Sequence, residues 1–182
     1  MIPRQVLPSH TVLAADIGGT HTRLALFAPG RRRPRRLRLV TYASREAPSL
    51  DPLLEDFRTG LPAPPAAACL ALAGPVEGGA CRLTNLPWPK VSAEGLRRRF
   101  GWPVVRLAND LEARAGAVPR LASGETRSRG GGRGRRMGVV GVLAPGTGLG
   151  MALLDFPRGA PRALSSEGGH AGLAPQGPEE VA

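Results

Sequence analysis

Thr11-Val-Leu-Ala-Ala-Asp-Ile-Gly-Gly-Thr-His-Thr-Arg-Leu-Ala-Leu-Phe27 is the stretch from which the rest of the chain is read. Thr11 to Ile17 is an apolar, β-prone run and Leu24 to Phe27 is a second, with a tight turn between them. Gly18-Gly19 is expected to supply the positive φ that such a turn needs without a Cβ clash. Asp16 stands at the strand's end, beside the turn. Gly18, Gly19 and Thr20 would present amides and a hydroxyl over a small concavity. That pattern fits an ordinary Gly-Gly hairpin. It also fits a nest of donors for phosphate oxygens, with Asp16 suited to the accompanying magnesium. A short glycine motif alone does not separate the two.

Outward from this hairpin, 182 residues allow one large domain or one domain with part of another. A hydrophobic content of 42% fits a globular chain. The net charge of +11 comes from 25 basic residues, of which Lys90 alone is lysine. Such a skew towards Arg, beside abundant Ala, Gly and Pro, reads as coding bias, so the charge argues only weakly for a nucleic-acid partner. Cys69 and Cys81 make neither a disulfide framework nor a metal cluster, and a reduced cytoplasm is the expected location. No apolar run approaches the roughly 18 residues of a membrane span, and no leader pattern is read at the N-terminus.

Residues 11–17, 23–28 and 36–42 read as three successive strands, with the Arg31–Arg36 run as a solvated hairpin tip. Asp51 is expected to cap a helix with Pro52 at its first position; Leu53, Leu54 and Phe57 form its apolar face and Gly60 ends it. The unbroken apolar run Ala66–Ala73 reads as a central strand covered on both faces. A loop follows, through Trp88. Ser92 caps a short helix bearing Leu96 and Phe100, and Pro103–Ala108 forms a fifth strand ending in Asn109-Asp110, where a further helix begins. A meander followed by helix–strand–helix–strand is an α/β pattern with a mixed sheet. Residues 122–136, rich in Gly, Arg and Ser, read as a loop or hinge. Arg129–Arg136 resembles an RNA-binding tract, but it lacks the interleaved aromatics that stack bases.

Beyond that segment the opening pattern recurs. Met137–Leu143 is a strand, Gly146-Thr-Gly-Leu-Gly150 a glycine-rich turn and Met151–Leu154 the returning strand. Two such turns, each opening an α/β lobe, imply two similar lobes that grip a nucleotide between their first hairpins.

In this order, Asp16-Ile-Gly-Gly-Thr20 with Arg23, Thr84-Asn85 with Trp88, Asn109-Asp110, Gly146–Gly150 and Glu167-Gly-Gly-His170 before Gly172–Pro175 resemble the bacterial glucokinases. These belong to the larger class of sugar kinases, actin and heat-shock ATPases. The resemblance implies a ribonuclease H-like, actin-like small lobe over residues 1–110 and the beginning of a similar large lobe over 111–182. It implies ATP- and magnesium-dependent phosphorylation of glucose at the 6-hydroxyl, and often a homodimer. Asp110, which by position alone is a helix cap, becomes the base for the 6-hydroxyl proton. Asn109, Glu167 and His170 would hydrogen-bond sugar hydroxyls, with Asn85 and the Gly74-Pro75 turn lining the same cleft. Gly18, Gly19, Thr20, Gly146, Thr147 and Gly148 would hold the ATP phosphates, and Asp16 would orient hydrated magnesium. There is no GxxxxGK[ST] loop. A related family of repressors and sugar kinases shares the first turn. It differs by a cysteine-rich zinc motif, which has no counterpart after His170 here, and by a helix-turn-helix before the first hairpin.

Relatives of this kind continue for well over a hundred residues more, with the adenine pocket and a further sugar-contacting glutamate among them. Gly177-Pro178-Glu179-Glu180 reads as a helix start followed only by Val181 and Ala182. The expectation is a truncated chain with little activity alone and an uncovered apolar face on the strands around the second hairpin. The alternatives are an inactive remnant that at most binds sugar, and a basic nucleic-acid binder acting through the arginine segments.

Overall fold

The computed structural model describes residues 10–31, 33–61, 63–130, 138–145 and 149–172. By its contacts the chain divides into two compact units, Met1–Ala113 and Arg114–Ala182.

In the first unit, β1 (Val12–Ile17), β2 (His21–Ala28) and β3 (Arg35–Ala43) form an antiparallel meander. Then follow α1 (Leu50–Thr59), β4 (Ala67–Leu72), three two-residue strands β5 (Val76–Glu77), β6 (Ala80–Cys81) and β7 (Val91–Ser92), α2 (Ala93–Phe100), β8 (Val104–Asn109) and α3 (Asp110–Ala117). The main sheet has the order β3-β2-β1-β4-β8, with β1, β4 and β8 mutually parallel. It is the mixed α/β sheet expected from the sequence.

Strand alternation builds the core. Leu13, Ala15 and Ile17 of β1 lie level with Ala68, Leu70 and Leu72 of β4, and all six are buried. The buried face of α1 (Leu50, Leu53, Leu54, Phe57) and Leu96 and Phe100 of α2 join them in one cluster with Trp88 and Trp102. Each such aliphatic or aromatic side chain contributes about 1.5–3 kcal/mol on burial. On the opposite face Val12, Leu39 and Val104 remain exposed, and Ala67, Cys69 and Ala71 are half-buried. β4 is therefore interior to the sheet but not covered equally on both faces. Its unbroken apolar sequence reflects small residues on the second face.

In the second unit, β9 (Val140–Pro145), β10 (Leu149–Asp155) and β11 (Arg162–Ser166) form an antiparallel sheet of order β11-β10-β9. It repeats the meander of the first unit. Ala152 and Leu154 are buried on one face, whereas Leu143, level with Met151, and Leu153, level with Leu164, are exposed on the other.

Local chemistry departs from the sequence reading at three places. Ser49, not Asp51, precedes the first helical residue of α1, and Pro52 sits in its first turn, where amides have no intrahelical acceptor to lose. The stretch after β4 is not all loop, since β5–β7 pair into a small antiparallel sheet. Neither Gly18 nor Gly19 has positive φ. The first hairpin is a three-residue connection closed by Gly18 N–H donating to the His21 carbonyl at 3.0 Å. Gly19 is needed for space: a Cβ there would stand 2.9 Å from Asn85 Cβ. At Gly18 a Cβ would make an ordinary 3.5 Å contact with the His21 carbonyl. Ser92 behaves as read, its hydroxyl accepting from Gly95 N–H at 3.0 Å.

Three stability outcomes follow, all readable by urea denaturation. Gly19→Ala destabilises the chain by about 1–3 kcal/mol, as overpacking does, while Gly18→Ala is neutral or stabilises by up to about 1 kcal/mol. Ser92→Ala costs about 1 kcal/mol through loss of the cap.

Candidate active site

The register of the parallel strands assembles the first half of the site. Ile17, Leu72 and Asn109 are level with one another at the carboxyl ends of β1, β4 and β8. The segments that follow them, Gly18–Thr20, Ala73–Pro75 and Asp110, therefore emerge at one edge of the sheet, where α/β folds place ligands. Ala73 N–H donates to the Ile17 carbonyl at 3.1 Å, tying the second segment to the first. Thr84 approaches the same segment, with its amide 3.5 Å and its hydroxyl 3.4 Å from the Ala73 carbonyl. Asn85 then lies against Gly19.

The first hairpin offers donors. Among the described residues, the amides of Gly19 and Thr20 donate to no backbone carbonyl. Beneath them Ser44 donates its hydroxyl to the Gly18 carbonyl at 2.8 Å and its amide to the Thr20 carbonyl at 2.9 Å. Thr22 lies 2.9 Å from the Ser44 hydroxyl, and both side chains are fully buried. The sequence reading missed this pair. Nothing in Tyr42-Ala-Ser-Arg-Glu46 separates Ser44 from a surface serine. Asp16 is paired across the strands with Arg23 at 3.2 Å, both side chains about half exposed (47% and 53%).

Asn109 and Asp110 divide two tasks. Asn109 Oδ1 accepts from Leu111 N–H at 2.9 Å and from Glu112 N–H at 3.3 Å, so the asparagine caps α3. Its Nδ2 donates to the Gly74 carbonyl at 3.2 Å, which leaves one amide N–H. Asp110 Oδ1 also accepts from Leu111 N–H at 2.9 Å. Its Oδ2 has no partner among the described residues. Asp110 is half-buried at the start of α3.

The second unit carries the remaining candidates. Gly146, Thr147 and Gly148 lie outside the described residues. The strands that flank them pair as a hairpin, with Pro145 level with Leu149. Glu167 follows β11 and leads into the turn Gly168–His170. A Cβ at Gly169 would fall on the Leu149 carbonyl, and one at Gly168 would lie 3.3 Å from Met151 Sδ. The two glycines thus let the turn bearing Glu167 and His170 close onto the root of the second hairpin. Among the described residues no three His, Cys, Asp or Glu side chains cluster as a metal site, and no helix is long and apolar enough to cross a membrane.

Known proteins resemble this chain over most of its length. The sequence model of the glucokinase family matches residues 13–182. A glucokinase of Caulobacter sp. (strain K31) is 36% identical over 171 residues, covering 93% of this chain and 51% of the relative. Among solved structures, a glucokinase from an Antarctic psychrotroph superposes with a TM-score of 0.82 at 32% identity, covering 96% of this chain and 55% of the other. A Balamuthia mandrillaris glucokinase, solved in complex with glucose, gives 0.69 at 25% identity, covering 93% and 50%. The mixed sheet is thus that of the actin-like sugar kinases. The chain spans 51% of the length of the Caulobacter relative it matches. From the profile match and these identities, the chain belongs to the glucokinase family.

Proposed function

We propose that this chain carries the catalytic base, the first phosphate-binding hairpin and part of the sugar site of an ATP-dependent glucokinase. One observation supports the reading most: the common ending of β1, β4 and β8, which gathers Gly18–Thr20, Asn85, Asn109 and Asp110 at a single sheet edge. Phosphoryl transfer asks little covalent work of the protein and much positioning, and the edge supplies positions.

Asp110 is the base. Its Oδ1 is held by Leu111 N–H, so Oδ2 accepts the proton of the sugar 6-hydroxyl while that oxygen bonds to the γ-phosphorus and the β–γ bridging bond breaks. Asn109, with Oδ1 committed to the cap, donates its remaining N–H to a sugar oxygen. Asn85, Glu167 and His170 complete the hydroxyl contacts. The Gly19 and Thr20 amides and the Thr20 hydroxyl bind phosphate oxygens, as do Gly146, Thr147 and Gly148. The donor set fits a nucleotide triphosphate because these first-hairpin amides donate to no backbone carbonyl among the described residues. Asp16, a half-exposed carboxylate paired with Arg23, fits magnesium as a single protein carboxylate, since this ion is held mostly by water and phosphate. When bound, the ion would neutralise phosphate charge. The two cysteines are free thiols, in keeping with a cytoplasmic enzyme, and a homodimer is the proposed assembly.

A second reading, sugar binding without turnover, draws on one feature. The sheet of the second unit leaves Leu143, Leu149, Leu153 and Leu164 exposed, 40–60% each. An apolar face of that kind calls for a covering element before the site is rigid.

A coupled assay for glucose 6-phosphate on the 182-residue chain, with ATP and magnesium, separates the two. Turnover that falls by about 10²–10⁴ in Asp110→Ala supports the kinase and the base together. Absence of turnover, with glucose still raising the melting temperature, supports binding alone. In that case Gly169→Ala, which pushes the Glu167–His170 turn away from Leu149, abolishes the glucose-dependent shift. Turnover unaffected by Asp110→Ala would overturn the assignment of the base.

A further inference from the structure

We propose that Ser44 is a positioning residue that aims the Gly19 amide at phosphate, acting at the end of a buried hydroxyl relay that starts at Thr22. The inference rests on the kinase reading above for its ligand, but not for its geometry.

The direction of the relay is set by proton count. A serine hydroxyl has one hydrogen and a carbonyl can only accept. Ser44 lies 2.8 Å from the Gly18 carbonyl, so its single proton is spent there. The 2.9 Å contact between Thr22 Oγ1 and Ser44 Oγ must then have Thr22 as donor. The order is Thr22 hydroxyl to Ser44 hydroxyl to Gly18 carbonyl, and each link polarises the next.

The consequence for the turn follows from the trans peptide. In a planar trans unit the carbonyl of one residue and the N–H of the next point in opposite directions. The Gly18 carbonyl is drawn down onto the buried Ser44, so the Gly19 N–H points away from it. The Ser44 amide, bonded to the Thr20 carbonyl at 2.9 Å, pins the far end of the same three-residue turn. One residue thus holds the first and the last carbonyl of the hairpin. Gly18 and Gly19, which lack a Cβ, would otherwise have wide conformational freedom in this turn.

Burial argues against an incidental contact. Thr22 and Ser44 are both at 0% exposure. Thr22 is directly level with Ile17 on the core face of the sheet, in a row that continues to Leu72 and Asn109 on one side and Tyr42 on the other. A hydroxyl there costs desolvation that valine would avoid, and it is retained with its partners satisfied. The relay accounts for two buried hydroxyls directly beneath this turn.

The test uses the full chain, amide hydrogen exchange by NMR, and MgATP and glucose titrations. Ser44→Ala is expected to speed exchange of the Gly18 amide about tenfold or more, the size of one lost hydrogen bond, while β4 amides stay within twofold. MgATP affinity falls about tenfold and glucose affinity is unchanged. Thr22→Val, which keeps the Ser44–Gly18 link, gives a smaller loss of MgATP affinity in the same direction, and Thr22→Ser restores it. A role limited to packing would instead leave the isosteric Thr22→Val silent and spread any effect of Ser44→Ala over all amides. Either of those results overturns the proposal, as does a Ser44→Ala chain with parental exchange at Gly18 and parental MgATP affinity. A parent chain that binds no MgATP overturns the kinase reading, and the exchange at Gly18 then decides the relay by itself.

Discussion

The structure depends on a register constraint. β1, β4 and β8 are parallel, and their core rows run Leu13–Ala68–Val105, Ala15–Leu70–Leu107 and Ile17–Leu72–Asn109. A slip of one residue in any of these pairings would turn a whole core row out to the other face. The last row is the informative one. Two aliphatic side chains are followed by an asparagine, so the apolar row ends in a polar group. That group is satisfied only by reaching beyond the sheet, to the Gly74 carbonyl on one side and to the first turn of α3 on the other. The same amide that closes the core therefore fixes two of the segments that form the site.

Glycine plays two distinct parts in this chain. At Gly78 and Gly79 between β5 and β6, and at Gly101 after α2, the backbone takes positive φ and glycine is required by conformation. At the site glycine is required by approach. Gly19 faces Asn85, and a Cβ at Gly74 would lie 2.8 Å from the Arg82 carbonyl and 3.2 Å from Cys81 Sγ. Gly169 lies on Leu149. These are places where a segment distant in sequence packs directly on backbone. Loops packed in this way are held by their close approach to other backbone and need little secondary structure of their own.

That distinction also explains what was legible in the sequence. The meander, the apolar faces of α1 and α2, the Ser92 cap and the junction at Asn109-Asp110 all follow from periodicity and capping chemistry, which act within a few residues. Gly18-Gly19 was located correctly as the turn but for the wrong reason, because the neighbour that demands Gly19 is Asn85, far along the chain. Ser44 and Thr22 were invisible for the same cause. A hydroxyl beneath a turn carries no local signature, and its role exists only once β3 has been laid beside β2. β5, β6 and β7 escaped because two-residue strands are too short to show alternation. β11 escaped because Arg162-Ala-Leu-Ser-Ser166 has one large apolar residue and no period to read.

The adjacent pair Asn109-Asp110 shows how close structural and chemical demands can lie. A helix start needs an acceptor for its first amides, and either residue could provide one. Had Asp110 been the cap residue, the amides of Leu111 and Glu112 would both have drawn on its carboxylate, and its charge would have been shared with the helix start. With asparagine in the cap, the amides of Leu111 and Glu112 are met by a neutral group. The carboxylate one residue later is then oriented by a single bond to Leu111, with its second oxygen left over. With this order, the neutral side chain carries two of the helix-start bonds and the charged one carries a single bond. Asn109 earns its place there by anchoring, and Asp110 by what the anchoring leaves free.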